Sequence, residues 1–184
     1  MKQPFRLLFA LSVLSFCVLP LHAQERKRVS PHETINANID GDQITVVYGR
    51  PFMKDPKTGE KRKIWGGLVP FDQVWRMGAD EATQLTTAQP IELGGKQIPA
   101  GTYSLFMLPR GDKGASLVVN KQTGQWGTKY DQAQDLVRVE MKPDAIGVPI
   151  EQLTISVDKN PNGGGVMKVA WEGMQYSVDI KAVH

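Results

Sequence analysis

The chain has little of the material from which reactive centres are usually built. Its 184 residues include one cysteine, Cys17, and three histidines. Cys17 lies in an apolar N-terminal run, so a chain without that run has no thiol for a disulfide, a nucleophile or a metal ligand. Two of the histidines, His32 and His184, lie near the two ends of the rest of the chain. A site built from several histidines is therefore excluded, and we expect no metal ion and no cofactor.

His32 is followed directly by an acidic residue, Glu33. The two side chains could act together as a base or as two metal ligands. The sequence offers no third ligand beside them, and we therefore interpret His32 as an exposed residue at the start of a strand.

The chain also lacks an excess of charge of either sign. It has 22 lysines and arginines against 19 aspartates and glutamates. Loss of residues 1–23 would remove Lys2 and Arg6 and no acidic residue, which lowers the basic count from 22 to 20 and leaves a net charge of +1. Nucleic-acid binding needs a strongly basic patch, and we therefore predict no nucleic-acid partner.

Only one long hydrophobic run is present, and it lies at the N terminus between residues 7 and 21. It follows two basic residues and ends before Ala23, which is the pattern of a cleaved export signal. The run is shorter than the roughly 20 apolar residues that a membrane-spanning helix needs. We therefore predict a signal peptide at residues 1–23, a flexible tail at 24–29, no transmembrane segment after cleavage, and a periplasmic or extracellular location.

The lone cysteine allows a second interpretation of this run, as the leader of a lipoprotein attached at Cys17. Lipoprotein processing needs a small residue before the cysteine, and Phe16 stands there. We therefore prefer simple secretion.

Alternation of apolar and polar residues dominates the remaining sequence. Residues 151–158, 166–172 and 175–181 each carry an apolar side chain at every second position, which is the period of a strand with one buried face. Similar stretches upstream, separated by turn signals, bring the count to about nine strands. Residues 102–108 are apolar on both faces and predict a central strand. We therefore predict an all-β fold, an antiparallel β-sandwich of about eight or nine strands with immunoglobulin-like or jelly-roll-like character, as a single domain over residues 30–184.

One long connection, residues 50–83, departs from this alternation. It is rich in glycine and proline, and its second half also carries Trp65, Phe71 and Trp75. Large apolar side chains argue against disorder, and a long irregular segment in a compact domain is commonly functional. We therefore expect this connection to fold across one end or edge of the sandwich and to carry the site.

Five short motifs resemble the hallmark of a known family. They are YGRP at residues 48–51, IWGGLVP at 64–70, VWRMGADEAT at 74–83, PAGTYSL at 99–105 and NKQTGQWG at 120–127. Through them the chain resembles, from about Ser30 to Ile180, a secreted bacterial family catalogued as domain of unknown function 2911. The resemblance implies an exported domain, often from Gram-negative bacteria, and it implies no reaction.

Two features depart from the pattern of that family. Asp80 stands where the family more usually has asparagine, and the insert at residues 54–63 is longer than usual. The first departure argues against Asp80 as an indispensable acid.

Two arginines in the irregular connection are the first candidates for ligand binding. Arg50 and Arg76 lie next to the aromatic residues Tyr48 and Trp75, and an arginine presents a planar fork of donors to a carboxylate or phosphate. Together they would form an anion or sugar-acid clamp. The alternative is structural, with each guanidinium tying down loop carbonyls or pairing with an internal acid such as Glu81.

Glu81 also has two interpretations. It could be the acid or base of a glycan hydrolase, with a second carboxylate from elsewhere, since adjacent residues of an extended chain point to opposite faces. It could instead be the internal partner of Arg76 or Arg50, with Asp80 as a turn residue.

Aromatic rings beside arginine and acid side chains are typical of carbohydrate recognition, because a ring can stack on the apolar face of a sugar. The candidates are Trp65, Trp75 and Trp126, with Tyr48 beside them. Trp126 lies in a polar turn and is expected to be exposed, whereas Trp171 lies on an apolar strand face and is expected in the core. The alternative for Trp65, Trp75 and Trp126 is an internal packing cluster beneath the long connection.

These features favour an exported, non-catalytic binding or envelope-associated module for a small polar, anionic or glycan-derived ligand. Arg50, Arg76 and Glu81 would supply the polar contacts, and a tryptophan would supply the stacking surface. Two alternatives remain open: a hydrolase of extracellular or envelope glycans that uses Glu81, and a purely structural protein-interaction module.

Overall fold

The computed structural model describes residues 28–183. The predicted signal peptide at residues 1–23 and most of the predicted tail lie outside the described residues. Within residues 28–183, no helix has the length and the apolar character that crossing a membrane would require.

Nine antiparallel strands form one continuous sheet in the order β1-β2-β3-β6-β7-β8-β9-β4-β5. The only helical element among residues 28–183 is one turn of 3₁₀ helix at Gln132–Gln134. The strands are β1 (His32–Ile39), β2 (Asp42–Gly49), β3 (Thr83–Thr87), β4 (Ile91–Leu93), β5 (Lys96–Ile98), β6 (Gly101–Pro109), β7 (Ala115–Asn120), β8 (Asp135–Lys159) and β9 (Gly165–Ala182).

The first hairpin shows how local sequence sets the register. Ile39 pairs with Asp42, so the turn between β1 and β2 consists of Asp40 and Gly41 alone. Both turn residues have positive φ, 51° and 94°, and an Asp-Gly pair tolerates this conformation best. The register then runs without interruption to the pair His32 and Gly49.

The longest hairpin, β8 with β9, folds the sheet back on itself. Its register shifts twice between Ala145 and Thr154, and such irregularities let a strand bend. The first part of β8 pairs with β7, whereas its last part lies against β2, where the backbone N–H of Ile155 donates to the Tyr48 hydroxyl at 2.9 Å. Two layers therefore face each other across one hydrophobic core, and the predicted all-β antiparallel fold is confirmed.

Strand β6 is the central strand that the sequence predicts. Residues 103–107 are all buried, because β3 and β7 flank the strand and both of its faces are covered. On the outer face Phe106 packs against Tyr130, with ring centroids 4.9 Å apart, and Ser104 hydrogen-bonds to Gln125. The connection between β7 and β8 therefore closes the face that would otherwise meet solvent.

The connection between β2 and β3, residues 50–82, is named here the crossing segment. At one end Met53 N donates to Glu151 O at 2.6 Å, which pairs the segment with β8. Further on, Trp75 and Met107 exchange both backbone hydrogen bonds, at 2.7 and 2.8 Å, alongside β6 beyond the end of β3. The crossing segment is therefore fastened to both layers by backbone hydrogen bonds.

Candidate functional site

Arg50 acts as an internal clamp. Its Nε donates to Leu153 O at 3.0 Å, one terminal nitrogen donates to Thr154 Oγ1 at 3.1 Å, and the other pairs with Glu33 at 2.9 Å. All three guanidinium nitrogens therefore contact the protein, and the side chain ties β1 and β2 to β8.

Tyr48 belongs to the same clamp. Its hydroxyl donates to Glu33 Oε2 at 3.0 Å and accepts from Ile155 N. The residue is 1% exposed, and burial raises its pKa to about 12. Tyr48 therefore holds the two layers together as a neutral phenol.

Trp65 and Trp75 lie in an aromatic cluster of the core. Each is 8% exposed. Trp65 donates its indole N–H to Trp171 O at 3.0 Å and meets Trp75 edge-on, and Trp75 stacks on Trp171 with centroids 6.0 Å apart. Trp171 itself is fully buried, as the sequence predicts. These rings mainly anchor the crossing segment, which fits the packing alternative for Trp65 and Trp75.

Arg76 differs from Arg50. Its Nε donates to Gly78 O at 3.1 Å, and its two terminal nitrogens have no hydrogen-bond or ion-pair partner among residues 28–183. The side chain packs closely against Gly127, where a Cβ atom would lie 2.3 Å from Arg76 Cδ. Only a residue without a side chain leaves room for Arg76 in this position. It borders a cavity of about 340 Å³ between the crossing segment and the sheet, named here the Arg76 cavity.

The walls of the Arg76 cavity combine apolar and polar groups. Apolar surface comes from Phe52, Leu68 and the edge of Trp75. A second arginine, Arg62, also lines it, but Arg62 donates to the carbonyl oxygens of residues 52 and 53 and is thereby held in the wall. Asp80 lines the cavity as well, and it is the one acidic residue that does so within the described chain.

Glu81 is held by an arginine that the sequence did not suggest. Both terminal nitrogens of Arg28 contact its carboxylate, one of them at 2.9 Å. The Arg28 guanidinium lowers the pKa of Glu81 to about 2, whereas a general acid working near neutral pH needs a raised pKa. The internal-partner interpretation of Glu81 therefore fits the structure, with Arg28 in place of Arg76 or Arg50.

Trp126 lies beside Glu81, to which it forms an isolated backbone bridge. The residue is 50% exposed, as the sequence predicts for a polar turn. The other tryptophans within residues 28–183 are buried, so Trp126 alone among them offers a ring surface to solvent.

Three ligand-type side chains meet in a place that sequence reasoning missed. His32 Nε2 lies 3.4 Å from Asp80 Oδ2 and 3.5 Å from Glu81 Oε2. We name these three residues the His32 cluster. His32 opens β1, and Asp80 and Glu81 lie before β3 with only Ala82 between them and the strand. His32 and Asp80 are therefore 48 positions apart in the chain. No local spacing rule could bring them together, although the acidic pair before an apolar strand was visible in the sequence.

The predicted site residues thus separate into three groups. Tyr48, Arg50 and Trp65 act mainly inside the protein. Arg76 and Trp75 line the Arg76 cavity, and Glu81 and Trp126 lie at the His32 cluster next to it. Asp80 belongs to both places, because it lines the cavity and is a member of the cluster.

Comparison with known proteins gives one match. The family model described as "Protein of unknown function (DUF2911)" matches residues 30–180. Neither the curated proteins nor the solved structures contain a match.

Proposed function

The chain belongs to the DUF2911 family of proteins of unknown function, and we propose that it is a non-catalytic module that binds a small carboxylated, glycan-derived ligand in the Arg76 cavity. The observation that carries the proposal is Arg76 itself. Its two terminal nitrogens have no partner among residues 28–183, and the residue lines the cavity. Such a fork of donors suits the two oxygens of a carboxylate.

The rest of the wall favours a ligand that also carries hydroxyl groups. Asp80 offers carboxylate oxygens that accept hydrogen bonds, and Ser30 offers a hydroxyl, while Phe52 and Leu68 provide apolar surface. A sugar acid presents a carboxylate, several hydroxyls and an apolar ring face in one small molecule. A cavity of about 340 Å³ lies at the lower end of the range for small-molecule sites.

The acidic residues favour binding over hydrolysis. Most glycoside hydrolases place two carboxyl groups on either side of the scissile bond. Within the described chain Asp80 alone lines the Arg76 cavity as an acid, and the carboxylate of Glu81 is engaged by Arg28. We therefore prefer the binding module to the hydrolase.

Calorimetric titration with glucuronate and with glucose tests the proposal. We expect saturable binding of the acid and none of the neutral sugar. Arg76→Gln should weaken binding of the acid by roughly 10- to 100-fold, because a hydrogen bond to a charged group contributes about 1.5–3 kcal/mol. Arg76→Lys, which keeps the charge and loses the fork, should bind with intermediate affinity.

Arg110→Gln is the matched control, because Arg110 pairs with Glu140 on another part of the surface. It should bind as the wild type does. Equal binding by wild type and Arg76→Gln, or no binding of any acid in a panel of sugar acids and simple carboxylates, would refute the proposal.

Export is a separate part of the proposed function. It is supported by the basic and apolar pattern of residues 1–23, which is typical of an export signal. Expression in a Gram-negative host followed by intact-mass measurement of the periplasmic fraction should give a chain that begins at Gln24. A chain that keeps its first 23 residues and stays in the cytoplasm would show that this pattern is not an export signal.

A further inference from the structure

The His32 cluster has the composition of a metal site. One imidazole nitrogen and two carboxylate oxygens, all within 4.8 Å of one another, converge from the start of β1 and the residues before β3. We propose that this cluster binds a divalent transition-metal ion such as Zn²⁺, and that Arg28 competes with the ion for the same ligands. The inference does not depend on whether the Arg76 cavity binds a ligand.

The spacing of the ligand atoms fits a metal ion. Zinc binds nitrogen and oxygen ligands at roughly 2.0–2.2 Å, and two such ligands at a tetrahedral angle are therefore about 3.4 Å apart. His32 Nε2 lies 3.4 Å from the Asp80 oxygen and 3.5 Å from the Glu81 oxygen. Two of the three separations therefore match that spacing, and the third is no more than 4.8 Å.

A positive group already lies among these three ligands. Nη1 of Arg28 contacts Glu81 Oε2, lies 2.9 Å from His32 Nε2 and lies 3.8 Å from Asp80 Oδ2. The guanidinium offsets the repulsion between two neighbouring carboxylates, which a metal ion would offset with shorter contacts. The Arg28 guanidinium therefore occupies the place that a metal ion would take, and it competes with the ion for the same three ligands.

A second cavity gives the cluster an open side. This cavity, of about 280 Å³, is bordered by His32, Glu81 and Arg28 and also by Tyr48 and Gln84. Zinc sites that bind an exchangeable water or an external ligand have three protein ligands and leave the fourth position open. The cavity offers space for that fourth position beside two of the three ligands, His32 and Glu81.

The donor set selects the class of ion. Imidazole suits zinc, copper, nickel and iron, whereas calcium prefers six to eight oxygen ligands. One nitrogen and two carboxylate groups are too few for calcium. Zn²⁺ is therefore the probe of choice.

Competition between the purified protein and a chromophoric chelator for Zn²⁺ tests the proposal without any glycan ligand. We expect one site per chain. Arg28→Gln should tighten Zn²⁺ binding at least about tenfold, because it removes the competing cation from the ligands. His32→Asn should weaken binding at least about tenfold, since it removes the nitrogen ligand.

The double variant Arg28→Gln with His32→Asn should lose the tighter binding, and Arg110→Gln should bind as the wild type does. These exposed positions lie outside the core, and an unchanged melting temperature without metal would show that each variant is folded. Wild-type affinity in His32→Asn, or no tightening in Arg28→Gln, would overturn the proposal. Because the readout is metal binding alone, its failure is distinguishable from a failure of sugar-acid binding.

Discussion

Trp171 is the residue on which the largest single effect on stability is expected. It is fully buried, stacks on Trp75 and donates its indole N–H to Glu151 O at 3.3 Å. Trp171→Ala should lower the free energy of unfolding by about 3–5 kcal/mol, because it leaves a cavity in a packed core. Urea denaturation followed by circular dichroism measures the loss.

Trp126→Ala is the matched control for this prediction. Trp126 is half exposed, and its substitution should change the free energy of unfolding by no more than about 0.5 kcal/mol. Similar losses in the two variants would show that Trp171 does not have the packing role assigned to it.

The backbone conformation of Asp80 predicts which substitutions this position tolerates. Its φ is 64°, in the left-handed region, which aspartate and asparagine enter more easily than other residues with side chains. Asp80→Asn should keep stability within about 1 kcal/mol, because only exposed ion pairs are lost.

Asp80→Val should cost about 1–3 kcal/mol, because a β-branched residue is strained at this φ. Thermal melting of both variants separates the two expectations. A valine variant as stable as the asparagine variant would argue against strain at this position.

At the scale of elements, the crossing segment is held against the turn that contains Trp126. Gly127 N donates to Asp80 O at 2.9 Å. A Cβ atom at Gly127 would lie 2.3 Å from Arg76 Cδ and 2.9 Å from Asp80 O. Gly127→Ala should therefore push the two connections apart, lower the free energy of unfolding by about 1–3 kcal/mol and displace Arg76 from its cavity.

Gly111→Ala serves as the control, because nothing lies within 4 Å of a Cβ atom at Gly111. It should change stability little. Chemical denaturation of both variants, with the sugar-acid titration repeated on Gly127→Ala, checks the two consequences together. If Gly127→Ala changed neither the free energy of unfolding nor the affinity for the sugar acid, the contact between Gly127 and Arg76 would not be what positions Arg76.

At the scale of the whole molecule, the tyrosines make stability depend on pH in the alkaline range. The chain has four tyrosines, and the pKa of each is raised above its ordinary value of 10.0, mainly by burial. The pKa of Tyr48 and that of Tyr130 reach about 12.

A raised pKa means that the folded state keeps a proton which the unfolded state releases. The stabilisation from these groups is therefore fully present below pH 10 and is lost as the pH rises from about 10 towards 12. The urea midpoint should be constant from pH 8 to 9 and should fall steeply above pH 10. At about pH 10.5, the absorbance of tyrosinate at 295 nm should be higher for the chain unfolded in urea than for the folded chain. Equal tyrosinate absorbance in the two states would contradict the raised pKa values.

Much of the fold follows from local sequence. The alternation around Trp171 placed this ring in the core, and the polar turn around Trp126 placed that ring in solvent. The doubly apolar stretch of β6 predicted a central strand, and the Asp40-Gly41 pair has the turn chemistry that the first hairpin uses. Each of these inferences depends on the period or the turn chemistry of a few adjacent residues, which the tertiary structure did not override.

The roles of the charged residues followed less well. Arg50 and Arg76 have similar sequence surroundings, yet all three guanidinium nitrogens of Arg50 contact β8 or Glu33. Arg76 lines a cavity, and two of its guanidinium nitrogens have no partner among residues 28–183. The difference arises from which carbonyl and carboxylate groups lie within reach after folding, and adjacent residues do not encode that.

By itself, then, the sequence determined the strands, their buried faces and the segment that departs from them, because side-chain periodicity and turn chemistry act over a few residues. Only the tertiary structure decided that His32 meets Asp80 and Glu81 around Arg28. The start of β1 reaches that place because β1, β2 and β3 are neighbours in the sheet. Contacts between residues far apart in the chain depend on how strands are ordered and registered, and that order is set by the packing of the whole core.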